Sequence, residues 1–189
     1  NFDLYRYGGE ASGCPLATGC GRIIAGSYRV WESVTGGVPT SGWKANSPDL
    51  TKGTLGARSI INQVAYAIDT PTVAIAGTND VNVTDGNAVL ANRPVLDVFM
   101  DPRDSRVGYA VVGGFDQNTP ATPGHVFQVT CSAGCASFSW RNVSGNLPNI
   151  PANSVIVNPN IPRQVFAGTD WGLYYTDDIG ADPVVWQKH

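Results

Sequence analysis

Three carboxylates in this chain stand where chemistry could be done. Asp80, Asp116 and Asp170 each follow closely on an apolar run that ends in glycine: Gly77-Thr78-Asn79-Asp80, Gly113-Gly114-Phe115-Asp116-Gln117 and Gly168-Thr169-Asp170-Trp171. Phe115 and Trp171 adjoin two of them, and Ser27-Tyr28-Arg29 offers an aromatic and a cation after a fourth such run. Carboxylates beside aromatic faces suit a sugar-binding cleft. Glycoside hydrolysis needs a pair of carboxyls about 5–9.5 Å apart. An Asp after Gly-Thr also caps its own turn by accepting backbone N–H bonds. Both readings stay open at the level of sequence, with Asp116 and Asp170 as the catalytic candidates.

Other chemistries find little footing. A Ser-His-Asp arrangement would have to use His125, which opens a predicted strand, or His189, the last residue. The glycines sit at strand ends and turns, so no phosphate-cradling loop forms. No cofactor is implied. Net charge is -3 without a basic cluster, which argues against nucleic acid as a partner. No run approaches the roughly 18 apolar residues of a membrane span.

The four cysteines fall in two close pairs, Cys14 with Cys20 and Cys131 with Cys135. Local pairing into disulfides is the simplest of the three connectivities. A zinc site is the rival, but C-x2-C spacing is missing and histidines number only 2. Disulfides imply an oxidising compartment, so the expected location is secreted, periplasmic or cell-surface.

The elements that position these residues read as strands. Charged residues are only 14% of the chain, whereas Gly (22), Pro (13) and Trp (5) are plentiful, which suits short strands joined by tight turns. Thr54 to Tyr66 is the one stretch long enough to consider as a helix, and Gly56 and its β-branched residues weigh against it. Elsewhere a unit recurs: an inner strand, an Asn/Asp-Pro turn, a second strand ending in Gly, a third strand, a turn, and an outer strand with Trp. Leu96–Met100 and Asn153–Val157 are inner strands, and second strands end at Gly26, Gly77, Gly113 and Gly168. The spacings are 51, 36 and 55 residues. Two of these approach or match the roughly 40–50 residues of a four-stranded propeller repeat. The interval of 36 is too short, and the missing part lies where Asp80 passes directly to Val81. Omission of residues there is the favoured explanation over a degenerate repeat. In the third unit the Cys131–Cys135 loop stands in place of the turn before outer strand Phe138-Ser139-Trp140. Two glycosylation-type triplets, Asn82-Val83-Thr84 and Asn142-Val143-Ser144, carry little weight.

Thr176-Asp177-Asp178-Ile179-Gly180, followed by Trp186, resembles the Asp-box (BNR) repeat of sialidase-like, xyloglucanase-like and Vps10/sortilin-type β-propellers. Ser33-Val34-Thr35-Gly36-Gly37 with Trp43 is similar, with Thr35 at the Asp position. The second and third units lack a box. The resemblance implies that Ser33, Gly37, Trp43, Thr176, Asp178, Gly180 and Trp186 are structural, on the outer turns of blades. It also implies a ligand face on the opposite loops, where Tyr28, Arg29, Asp80, Phe115, Asp116, Asp170 and Trp171 lie. A sialidase proper is disfavoured: its Arg-Ile-Pro motif has no counterpart, since Ile161-Pro162-Arg163 runs in another order.

The expected fold is therefore all-β: a β-propeller of four-stranded antiparallel blades, with about four blades near residues 1–46, 47–84, 85–142 and 143–189. Four blades do not close a ring easily, so a longer chain or partner subunits are expected to complete it. The expected function is an exported, disulfide-stabilised binding or scaffold module for a glycan or protein ligand. The alternative is a xyloglucanase-like glycoside hydrolase acting through loop-face Asp residues.

Overall fold

The computed structural model describes residues 1–5, 21–37, 40–50, 60–67, 70, 72–78 and 88–189. Cys14, Cys20, Asp80, the Asp80–Val81 junction and the Asn82 triplet lie outside the described residues. The chain is all-β and builds antiparallel meanders in sequence order. The first sheet holds β1 (Phe2–Leu4), β2 (Ile23–Gly26), β3 (Val30–Ser33) and β4 (Trp43–Ala45). The second holds β5 (Ile61–Tyr66) and β6 (Ala74–Thr78). The third holds β7 (Val95–Met100), β8 (Val107–Val112), β9 (Val126–Cys131) and β10 (Phe138–Asn142). The fourth holds β11 (Ala152–Val157), β12 (Val165–Thr169), β13 (Gly172–Thr176) and β14 (Gln187–Lys188). Among the described residues the helix candidate contributes no helix. Its last six residues are β5, because Ile61, Val64 and Tyr66 supply β-branched and aromatic side chains that pack on a sheet face.

The first strands of the sheets stand side by side, β1 against β5, β5 against β7 and β7 against β11. That is the radial order of propeller blades. The apolar core accordingly lies between sheets, in three clusters. One joins the first and second sheets around Tyr5, Ile24 and Val64. Another joins the second and third around Val98, Ala110 and Phe127. The largest joins the third and fourth around Val111, Val126, Val155 and Trp186.

Three of the inner strands share a device that period-2 reasoning misses. In β5, β7 and β11 the buried residues are the first, fourth and sixth. The register slips between Ile61 and Gln63, between Val95 and Asp97, and between Ala152 and Ser154. Each strand thus carries a bulge with one extra residue, Asn62, Leu96 or Asn153. The bulge adds twist and returns Val64, Val98 or Val155 to the core. Side chains near these bulges tie neighbouring sheets together. Asn62 Nδ2 donates to the Val95 carbonyl at 2.8 Å, and Asp97 Oδ2 accepts from the Val155 N–H at 3.1 Å. Asp3 Oδ2 likewise accepts from the Tyr66 N–H at 2.9 Å.

The Thr176–Gly180 turn follows β13 at the end remote from the β12–β13 hairpin. Thr176 Oγ1 accepts from the Asp178 N–H at 3.3 Å and Asp178 Oδ1 accepts from the Gly180 N–H at 3.0 Å. Ile179 is thereby turned inward and buried. Arg141 of β10 reaches across from the third sheet and donates to the carbonyls of Ile179 and Ala181. In the turn after β3, Ser33 Oγ takes the acceptor role, binding the N–H groups of Thr35 (3.3 Å) and Gly37 (3.0 Å). This buried hydroxyl explains how the turn forms with Thr35 where the last turn has Asp178. The turn after β9 is closed by the Cys131–Cys135 disulfide. Ser132 and Ser137 add a mutual backbone bond and an Oγ acceptor.

Candidate functional site

The hairpin ends of β2, β8 and β12 and the links between sheets share one edge of the molecule, opposite the outer turns. The long β8–β9 connection carries Phe115 and Asp116 there. Its centre is polar. Asp116 Oδ1 accepts from the Gly124 N–H at 2.7 Å and from Arg93 Nη2 at 3.2 Å, and His125 Nε2 lies 3.6 Å away. The Arg93 side chain is only 3% exposed and that of Asp116 30%. Arg93 also donates to the Gly124 carbonyl. Its Nε and Nη1 are buried and make no hydrogen bond among the described residues.

Asn149, on the link from the third sheet to the fourth, completes the cluster. Its Oδ1 accepts from the Asp116 N–H at 2.8 Å and lies 3.2 Å from His125 Nε2, while its Nδ2 donates to Gln117 Oε1 at 3.1 Å. An amide oxygen only accepts, so the neutral imidazole carries its proton on Nε2. Burial pushes the His125 pKa below its ordinary 6.5, and the Arg93 charge pushes the same way; Asp116 and Asn149 oppose them. Burial likewise lowers Arg93, with Asp116 restoring part of the loss.

A pH dependence follows with a definite sign. The unfolded chain protonates His125 near pH 6.5, whereas the folded chain resists until lower pH. In that interval the unfolded state binds more protons, so stability falls as pH drops below about 6.5. The urea midpoint is expected to decrease from pH 7.5 to pH 5.5, and by less in His125→Asn. Equal decreases in the two proteins would show that His125 does not contribute.

Asp170 sits in the two-residue loop between β12 and β13. Its Oδ1 accepts from Asn153 Nδ2 at 2.7 Å, and its N–H donates to the Pro151 carbonyl at 3.3 Å. Beside it Trp171 is 62% exposed, and Phe115 in the neighbouring loop is 47% exposed. Tyr28 and Arg29 pair with each other, the guanidinium 5.5 Å from the ring centroid. Arg29 Nη1 also donates to the Ser47 carbonyl at 3.1 Å. The structure therefore brings Asp116 together with Arg93, His125 and Asn149, and Asp170 with Asn153.

A groove of about 540 Å³ runs along the inner strands, lined by Phe2, Asp3, Gln63, Asp97, Ser154 and Leu173 among others, and neither Asp116 nor Asp170 borders it. Sequence reasoning missed Arg93, Asn149, Asp3 and Asp97. The available signal for Asp97 was a lone charge within the apolar run Val95–Met100. For Arg93 and Asn149 there was none, because their partners are 23 and 33 residues away from them in Asp116.

No family model matches this sequence, and no curated protein matches it. Among solved structures the chain is similar to the GH74 enzyme of Niastella koreensis, with 16% identity and a TM-score of 0.43. The match covers 88% of this chain and 27% of that one. The fold class rests on the strand pairing and the side-by-side inner strands.

Proposed function

We propose that this chain is part of an exported, disulfide-stabilised propeller of the Asp-box kind that binds a glycan on the loop face without hydrolysing it. One observation carries the reading. The carboxylates of Asp116 and Asp170 are held by internal hydrogen bonds, whereas Phe115 and Trp171 present exposed rings on the same edge. A ring with one free face offers contact area to a sugar at little entropic cost. The Cys131–Cys135 bridge supports an oxidising location. Further blades, from a longer chain or a partner subunit, complete the ring in this reading.

The test is affinity electrophoresis of the full chain through gels containing soluble β-glucans. Retardation is expected, and Trp171→Ala is expected to weaken it roughly tenfold, about 1.4 kcal/mol. Phe115→Ala should act in the same direction. Unretarded migration in every gel, or retardation unchanged in Trp171→Ala, would refute the binding face.

A further inference from the structure

Among the described residues the second sheet has two strands where the other three have four. Its outer edge is open in a specific way. Ala67 N–H donates to the Val73 carbonyl, which sets the alternation of the β5–β6 ladder. The backbone groups of Ala74 and Ala76 then point away from β5. Unsatisfied edges of this kind are templates for another strand.

Among the described residues a cavity flanks that edge on either side. On the side of the third sheet lies an apolar cavity of about 230 Å³, lined by Ile75, Leu90, Met100, Val129, Phe138 and Trp140 among others. On the side of the first sheet lies a second cavity of about 330 Å³, whose lining includes Arg22, Glu32, Asn46 and Ser47 together with Ala74 and Ala76. The position is that held by β3, β9 and β13 in the other sheets, beside their second strands.

An unpaired donor marks the same place. Trp140 Nε1 is buried with no acceptor among the described residues. Its counterpart in the fourth sheet, Trp186, donates from Nε1 to the Val143 carbonyl at 2.9 Å, and Val143 directly follows the outer strand of the preceding sheet. By the repeat, the acceptor for Trp140 belongs just after an outer strand of the second sheet.

We infer that a two-stranded hairpin of this same polypeptide, inserted between Asp80 and Val81 in the natural chain, fills the slot and completes the second blade. The chain length agrees. Gly77 to Gly113 spans 36 residues, against 51 from Gly26 to Gly77 and 55 from Gly113 to Gly168. The shortfall is 15 to 19 residues, and the third and fourth strands with their turn occupy residues 30–45 in the first sheet and 172–188 in the fourth. The lining also dictates the hairpin's pattern. Residues of its first strand that face the third sheet are apolar, and the alternate ones, facing Arg22 and Glu32, are polar.

Two measurements test this. The first is a tryptic mass map of the protein from its natural source. The expected result is 15 to 19 additional residues between Asp80 and Val81; recovery of an uninterrupted Ser59–Arg103 peptide would overturn the inference. The second inserts a copy of Gly172–Lys188 between Asp80 and Val81 of the present chain, with a 17-residue Gly/Ser insert as control. The hairpin copy is expected to raise the Tm by about 5 °C or more and to slow exchange of the Trp140 indole hydrogen. A Tm and an indole exchange rate equal to those of the Gly/Ser control would overturn it.

Discussion

Replacing Asp116 with alanine is expected to destabilise the fold by about 3 kcal/mol, because it strips a buried guanidinium of its counter-charge. Arg93 is 3% exposed and, among the described residues, pairs with the Asp116 carboxylate at 3.2 Å. The same change removes the acceptor of the Gly124 N–H. Asp116→Asn should cost less, since an amide oxygen can still accept from Gly124 while the charge is lost. Urea denaturation at pH 7.5 measures both. The order wild type, Asn, Ala is the expected ranking of midpoints. A group whose work is done on a ligand would leave the midpoints together, so coincident curves would contradict the structural role given to Asp116.

Replacing Trp186 with alanine is expected to cost about 3–5 kcal/mol, the range for emptying a buried aromatic site. Trp186 is 3% exposed within the cluster joining the third and fourth sheets. Its indole N–H bonds to the Val143 carbonyl, and its backbone N–H to Asn146 Oδ1 at 2.6 Å. Trp186→Phe keeps most of the apolar volume, loses the indole bond, and leaves that carbonyl without its donor. A cost of about 1–3 kcal/mol is expected for it. Equal losses in the two variants would mean that packing volume does not set the effect. A loss below about 1 kcal/mol in Trp186→Ala would mean that this interface contributes little to the fold.

The strands were legible because their apolar runs end at residues that cannot continue a ladder. Leu96–Met100 closes at Asp101-Pro102 and Asn153–Val157 at Asn158-Pro159, and the observed β7 and β11 begin one residue earlier in each case. The bulges were not legible. Whether Asn62, Leu96 or Asn153 is an extra residue depends on the pairing partner, and a single strand's sequence does not contain that partner. The turn after β3 shows the same limit on a smaller scale. Thr35 looked like a lost acceptor, yet Ser33, two residues earlier, binds Gly37 instead. At the loop face Asp116 was singled out for its place after a run ending in glycine and for the adjoining Phe115. The neighbours that define its environment are Arg93, Gly124 and Asn149, brought by chain reversals that local spacing does not encode. His125 was set aside because it opens a strand. It does stand next to β9, and burial beside Arg93 makes it a neutral hydrogen-bonding group in that cluster.

We propose that the loop face binds a glycan and does not cleave it. The most direct test is reducing-end release from the soluble β-glucans that the full chain binds, measured for the wild type, Asp116→Asn and Asp170→Asn. No release above buffer is expected for any of the three, with gel retardation kept in Asp170→Asn. Release by the wild type that disappears in Asp116→Asn or Asp170→Asn would contradict it and establish a loop-face hydrolase.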